Sequence, residues 1–369
     1  MKNQEKIKFA APNKNLFFPT LKKRVDQYFA DNQKSRYANK TMVIKTIILL
    51  VAYIVPYIIL ISFTPPLALS LFLWLLMGAG ISGIGMSIMH DANHGAFSQN
   101  PTINKWVGFT INLAGVGVMN WKWQHNILHH TYTNVANVDE DIKDRGVVKL
   151  SPHETVRRIH RFQWLYAFFF YSILTLYWVI LKDFIQYANF IKSGVNRQSS
   201  TENRQMLAGL IILKITYFAI FLVAPTLIFH IPFWQVLVGF LLMHFTAGLV
   251  LTVIFQLAHS VEGTHYPLPN EDGIIEQDWA IHQLETTSNF SPQNKWLSWY
   301  IGGLNFQIEH HLFPRICHVH YPKLAPIVKQ TANEFGLTYL ENRTFLIAIK
   351  SHLASLKRFG IPHYDEAIV

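Results

Sequence analysis

Two long stretches of this chain carry no Asp, Glu, Lys or Arg. The first lies between Lys45 and Asp91 and the second between Lys214 and Glu262. A hydrocarbon layer roughly 30 Å thick takes about 20 helical residues per crossing, so each stretch suffices for two crossings and not for three. Each is broken near its middle, by "FTPPLA" with Pro65 and Pro66 and by "FHIPFW" with Pro232, where proline disfavours a continuing helix. The pattern predicts two transmembrane hairpins, with spans at about residues 43–63, 67–89, 208–229 and 233–257. A further apolar run, "FQWLYAFFFYSILTLYWVIL" at 162–181, is about long enough to cross. If it crossed, the segments on its two sides would face opposite compartments, and it is read as interfacial or re-entrant. The expected fold class is an all-α integral membrane protein of four spans under a cytoplasmic helical cap.

Composition agrees with that pattern and orients it. Half of the 369 residues are hydrophobic and only 15% are charged, well below the usual share in a soluble domain. The hairpin turns hold no Lys or Arg, whereas residues 1–45 hold eleven, and the stretch between the hairpins and the C-terminal region are also basic. The positive-inside rule therefore puts both termini and the inter-hairpin stretch in the cytoplasm. Orientation also accounts for the net charge of +10, so no nucleic-acid partner is expected. The division that follows is a basic segment at 1–42, a membrane domain at 43–340 and a cytoplasmic tail at 341–369. No removable secretory signal is read in the first forty residues. The single cysteine, Cys317, excludes an intrachain disulfide and any thiolate cluster.

The histidines are unevenly placed. His90 and His94 in "HDANH" follow the second span at i, i+4, which puts both imidazoles on one helical face. In "HNILHH", His125 and His129 repeat that spacing and His130 points about a quarter turn away. In "QIEHH", Gln307, His310 and His311 stand at i, i+3, i+4. His259 falls at the cytoplasmic end of the fourth span, at about the depth of His90. Eight histidines and a glutamine thus converge on one plane and exceed what one ion accepts, which favours two metals. Imidazole suits zinc, copper, iron or nickel, so ligand type alone leaves the metal open. The isolated histidines, His153, His160, His230, His244, His265, His282, His318, His320, His352 and His363, are read as satisfied polar residues.

These motifs resemble the integral-membrane fatty acid desaturases, whose three histidine boxes hold two irons that activate dioxygen. The likeness includes HxxxH at His90–His94, HxxxHH at His125–His130 and QxxHH at Gln307–His311 with the following "LFP", together with the flanks "WKWQHNILHHTYTN" and "GGLNFQIEHHLFP". It covers residues from about 43 to 340. A glutamine opening the third box resembles the front-end branch, which places a new double bond between an existing one and the carboxyl end. By the same resemblance His259 corresponds to a ligand outside the boxes. The implied substrate is a fatty acyl chain, carried as acyl-CoA or acyl-lipid, held extended in an apolar tunnel. Two departures stand out: the second box has three residues rather than two before its His pair, and no HPGG haem motif of a fused cytochrome b5 domain occurs. The resemblance therefore implies an external electron donor of ferredoxin or cytochrome b5 type with its reductase. A bacterial cytoplasmic membrane fits the absence of targeting segments.

Other features are read more plainly. "GAGISG" at Gly78–Gly83 fits GxGxxG, but inside an apolar run its small residues make a packing face rather than a nucleotide site. Arg157, Arg158 and Arg161 are placed to meet a phosphate or to obey the positive-inside rule. "DEDIKD", Asp139–Asp144, reads as a solvated face or salt-bridge partner rather than a further metal site, and Asp91 and Glu309 are candidates to orient ligand histidines. Trp121, Trp123, Trp164 and Trp299 read as an interfacial belt. A histidine-box hydroxylase or ketolase is the nearer rival. A metal transporter is more distant, because the candidate ligands gather at one end of the hairpins instead of lining the spans.

Overall fold

A computed structural model describes residues 7–10, 16–63, 65–143 and 146–362. It is mostly helical, and among the described residues five helices are long and apolar enough to cross a membrane. We label the helices in chain order. α1 is Phe17–Asp31, α2 Lys40–Phe63, α3 Leu67–Asn93 and α4 Pro101–Gly108. α5 is Val118–Lys122, α6 Arg158–Ser193, α7 Ser200–Leu227 and α8 Phe233–His259.

The two hairpins form where the charge-free runs predicted them. α2 and α3 pack along each other, and α8 packs along α3. Glycine permits the close approach: a Cβ on Gly78 would stand 2.5 Å from the Met243 carbonyl oxygen and 2.8 Å from Thr246 Cβ. The "GAGISG" run is thus a helix-packing face inside α3. At 27 residues each, α3 and α8 are about 40 Å long, about 10 Å more than the hydrocarbon core requires. Their C-terminal ends run level with each other, and these ends carry His90 and His259.

The apolar run at 162–181 belongs to α6, a helix of 36 residues with π winding at Trp178–Lys182. Its contacts locate it. Near its start, Gln163 accepts from the Lys149 amide at 2.8 Å and donates to the Leu356 carbonyl at 2.7 Å. Midway, Thr175 Oγ1 donates to the His244 carbonyl of α8 at 2.7 Å. Further on, Gln186 donates to Gln124, the neighbour of His125, at 2.7 Å. The far end of α6 therefore meets a residue flanking the second box, its start meets Lys149 and Leu356, and its middle meets α8 fifteen residues before His259.

Over the hairpin ends sits a cap. α1 turns Phe17, Leu21, Val25 and Phe29 at i, i+4 spacing onto α12, Tyr321–Glu334, and buries Leu324, Val328 and Ala332 against them. Within the segment at 1–42, α1 is thus an amphipathic helix docked on the cap. Between lie α9, Trp279–Thr286, α10, Lys295–Tyr300, and α11, Gln307–Leu312. Within 341–369, α13, Phe345–Phe359, packs on α6 and α8, and His352 donates to the Ser260 carbonyl at 2.7 Å. Two short parallel bridges, Lys8–Phe9 with Ile274–Ile275 and Asn289–Phe290 with Glu341–Asn342, tie distant segments together.

Candidate metal centre

The three boxes reach the centre on different windings. α3 has a π-helical stretch at Ile84–Ile88 just before His90, and Trp123–His129 is π-wound through the second box. π winding is common at functional sites and replaces i→i+4 with i→i+5 bonding, so residues five apart come into line. His125 and His129 keep the shared face that their i, i+4 spacing predicts, their rings stacked 5.3 Å apart. His130 Nε2 also lies beside His125 Nε2, at 3.3 Å, and His129 also packs against His259 in the other half of the site. α11 is a single short α-helical stretch, and it splits its pair in the same way.

All nine predicted residues meet at one place. His90, His94, His125 and His310 form one group, and His129, His259 and His311 a second, the ligand atoms of each lying within 4.8 Å of one another. His130 stands between them, its ring 4.5 Å from that of His310 and 4.4 Å from that of His311. Gln307 is buried and shares a cavity wall with His90 and His125. His90 Nε2 and His125 Nε2 are 3.0 Å apart.

The donor set fits two cations. Nε2 of His94, His129, His259, His310 and His311, and Nδ1 of His130, are buried with no hydrogen-bond partner, an arrangement whose cost a metal would remove. Two nitrogens each about 2.1 Å from one ion at roughly a right angle stand about 3 Å apart, as His90 and His125 do. Burial above all, then repulsion from neighbouring rings, holds the pKa values of His94, His125, His130, His310 and His311 well below the ordinary histidine value. These rings are neutral and present lone pairs.

Their orientation comes from the other ring nitrogen. His129 Nδ1 donates to Asp139 Oδ2 at 3.0 Å, His311 Nδ1 to Gln283 Oε1 at 2.8 Å and His259 Nδ1 to the Thr286 carbonyl at 3.3 Å. His310 Nδ1 pairs with the Tyr321 hydroxyl at 3.2 Å. Each bond to an acceptor puts the proton on Nδ1 and leaves Nε2 free for an ion. For His129, burial disfavours charge, but Asp139 and then Asp141 outweigh it and hold the pKa above the ordinary value.

Several expectations about the surroundings are corrected. Asp139 is buried and pairs with His129, the salt-bridge reading and not the solvated one, because Asn134 and Asn137 adopt left-handed backbone (φ 59° and 64°) that folds the chain back onto His129. A signal existed in the sequence: two asparagines three residues apart, then an acid, just past a box. Asp144 lies outside the described residues. Asp91 accepts from His318 Nδ1 at 2.8 Å, and its other oxygen is 4.0 Å from His90 Nδ1. Glu309 accepts from Asn289 and Tyr339, so neither acid directly orients a candidate ligand. Burial pushes the Glu309 pKa up to about 7 against those bonds. Trp121 stacks on His125 at 4.5 Å and Trp123 packs on Phe190, so these two are core residues rather than belt. Arg157, Arg158 and Arg161 are exposed at the start of α6. Among the isolated histidines, His318 binds Asp91 and Lys45, and His244 binds Thr175 and Tyr217. His363 lies outside the described residues.

An elongated cavity of about 640 Å³ opens beside the histidines, lined by His90, His125, Gln307 and Trp121 on the metal side and mostly by apolar side chains elsewhere. That volume and lining suit a small apolar ligand.

Comparison with known proteins agrees with the geometry. The family model described as fatty acid desaturase matches residues 65–343. The chain is 35% identical to the sn-1 linoleoyl-lipid 6-desaturase of Arthrospira platensis, over 95% of each chain. It is 35% identical to the protein of the same name from Synechocystis sp., over 98% of this chain and 99% of that one. To the acyl-lipid (8-3)-desaturase of Physcomitrium patens it is 32% identical, over 97% of this chain and 74% of that protein.

Proposed function

The chain belongs to the fatty acid desaturase family, and from that premise we propose that it is a front-end acyl-lipid desaturase working through two irons. One observation carries the reading. Two groups of buried imidazoles, with nitrogens unpaired and oriented from behind, adjoin a long apolar cavity. His90, His94, His125 and His310 would hold one ion and His129, His259 and His311 the other, with His130 between them and Gln307 at the cavity wall. When bound, the metal pair would activate dioxygen, which takes two hydrogens from adjacent methylenes and two external electrons with two protons, giving a double bond and two waters.

The protein's own part is positional. An acyl chain has chemically similar methylenes, so the cavity must select one pair by where it places them. Trp121 and Phe255 pack against the candidate ligands and exclude water from the reacting carbons. Beside the histidines the lining also includes polar side chains, Gln124, Asp141, Lys143, Lys182, Gln186 and Asn189. Gln124 and Asp141 adjoin His125 and His129. A headgroup seated there puts carbons near the carboxyl end at the metals, which supports front-end selection. The relatives' printed names favour acyl-lipid over acyl-CoA, and desaturation over hydroxylation or ketolation. A largely apolar cavity beside the histidines does not suit an ion transporter.

The contacts of α6 support a four-span topology. A helix whose start meets Lys149 and Leu356 of the cap and whose far end meets Gln124 beside the second box is read as running along or into one leaflet without crossing, leaving termini and metals on the cytoplasmic side. A bacterial cytoplasmic membrane with an acidic one-electron carrier such as ferredoxin, or a cytochrome b5 type protein, completes the reading. The test is expression in a host supplied with linoleate, ferredoxin and its reductase, with fatty acids analysed by gas chromatography and mass spectrometry. A new double bond on the carboxyl side of the existing one is expected, lost in His310→Ala together with bound iron while membrane insertion persists. A hydroxylated product, or full activity in His310→Ala, would overturn it.

A further inference from the structure

The lining of the cavity reaches well below the histidines. Away from them it includes Ile81 of α3, Leu113 and Ala114 of the 3-10 segment Phe109–Ala114, Thr175 of α6 and His244 of α8. Ile81 stands nine residues before His90, about 14 Å along the helix. His244 stands fifteen residues before His259, about 22 Å. This part of the lining lies deep within the spans.

A histidine at that depth needs an account, since an imidazole facing hydrocarbon with a free nitrogen is costly. Here neither nitrogen is free. Nε2 pairs with the Tyr217 hydroxyl at 3.0 Å and Nδ1 with Thr175 Oγ1 at 3.2 Å, while Thr175 Oγ1 also donates to the His244 carbonyl. The two partners come from α7 and α6, and Phe240 of α8 packs on the ring at 4.5 Å. His244 itself is fully buried. With both nitrogens engaged by protein, the ring offers only carbon to the cavity. A side chain fixed at two atoms cannot swing aside as a leucine could.

We propose that His244, pinned by Thr175 and Tyr217, is the floor of the acyl cavity and sets how much chain can extend beyond the carbons that react. The inference rests on the desaturase reading and adds its length selectivity. With the polar side chains beside His125, the carboxyl end of the substrate lies near the metals and the methyl end meets the floor. Selection of chain length is then a steric property of one end, independent of the headgroup.

The test uses the full chain in lipid nanodiscs with an equal mixture of 18- and 20-carbon polyunsaturated phosphatidylcholines, and reads two quantities. One is the ratio of desaturated products with ferredoxin and reductase supplied. The other, which needs no turnover, is the rise in melting temperature given by 18- or 20-carbon lysophosphatidylcholine. His244→Ala is expected to raise the 20:18 preference in both by about tenfold, the worth of roughly two buried methylenes. Tyr217→Phe, which frees one nitrogen but keeps the bulk, should shift it less and in the same direction. Ile81→Phe, which fills the floor, should lower it, and it remains a test should His244→Ala not fold. Equal loss for both lengths in every variant would overturn the floor assignment. If the wild type makes no product but these binding preferences shift as stated, the desaturase reading fails and the floor stands.

Discussion

His129 Nδ1 lies 3.0 Å from Asp139 Oδ2, and both side chains are almost wholly buried. Asp139 is itself held by the backbone amides of Asn134 and Asp141, each at 3.0 Å. A carboxylate fixed at both oxygens in this way leaves the ring one tautomer, with the proton on Nδ1 and the lone pair of Nε2 directed at His259 and His311. The acid orients the ring rather than balancing a surface charge.

Asp139→Asn keeps the shape but can present an amide N–H to His129 Nδ1 in place of an acceptor. The ring then loses its preference for the metal-binding tautomer. Metal occupancy and activity should each fall about 10- to 100-fold, the usual cost of losing such a partner. Metal per protein by plasma mass spectrometry, with helicity by circular dichroism unchanged, checks this. Wild-type occupancy in the variant would mean that Asp139 only packs.

The placement of α6 decides the topology, and its far end offers a probe. Ser200, exposed at the first residue of α7, follows α6 directly. Cys317 is buried, so Ser200→Cys should supply the reactive thiol. In inverted vesicles a membrane-impermeant maleimide should label it, and in right-side-out vesicles it should not. Labelling from the outer face would mean that α6 crosses and that the chain has five spans.

Much of this was legible in the sequence, for physical reasons that also mark where legibility stops. Charge-free runs broken by Pro65, Pro66 and Pro232 report spans and turns directly, because the bilayer tolerates few alternatives there. Histidine spacing pointed to where the imidazoles gather, since residues at i, i+4 share a helix face. Which histidine joins which group was not legible: the π winding at Trp123–His129 moves His129 and His130 around the axis without any Gly or Pro to announce it. Asp139 was hidden in an acidic run that resembles any solvated loop. His244 looked like an ordinary satisfied histidine, and it is one; only the cavity beside it gives that satisfaction a use.

Lys214 and Asp183 form an ion pair at 2.6 Å with side chains 7% and 0% exposed. Lys214 Nζ also donates to the carbonyls of Gly115 and Trp178. Asp183 accepts from the Gly117 amide and from the Trp178 indole. The pair ties α6 and α7 to the turn that leads into the second box. Lys214→Met leaves a buried carboxylate uncompensated and should cost about 3–5 kcal/mol. The double variant Asp183→Asn with Lys214→Met removes the stranded charge and should recover much of that loss. Thermal denaturation of all three proteins in one detergent measures it. A double variant less stable than Lys214→Met would show that the other hydrogen bonds of Asp183, and not its charge, hold the turn.

Metal removal separates the architecture of the centre from its chemistry. Six buried ring nitrogens without partners are a cost that a bound cation removes, so the chelator-stripped protein should melt at a lower temperature than the loaded one. Stability should rise with ion concentration, reaching about 2.7 kcal/mol at a hundred times the dissociation constant. Ferrous ion and zinc should both stabilise, because neutral imidazoles accept either. Only iron should support product formation, because zinc has no redox chemistry to offer. His310→Ala removes a nitrogen from the group that includes His90, His94 and His125, and it should blunt the melting response to both ions alike. A melting temperature indifferent to both ions in the wild type would mean that the histidine cage is not a metal site, whatever activity the protein shows.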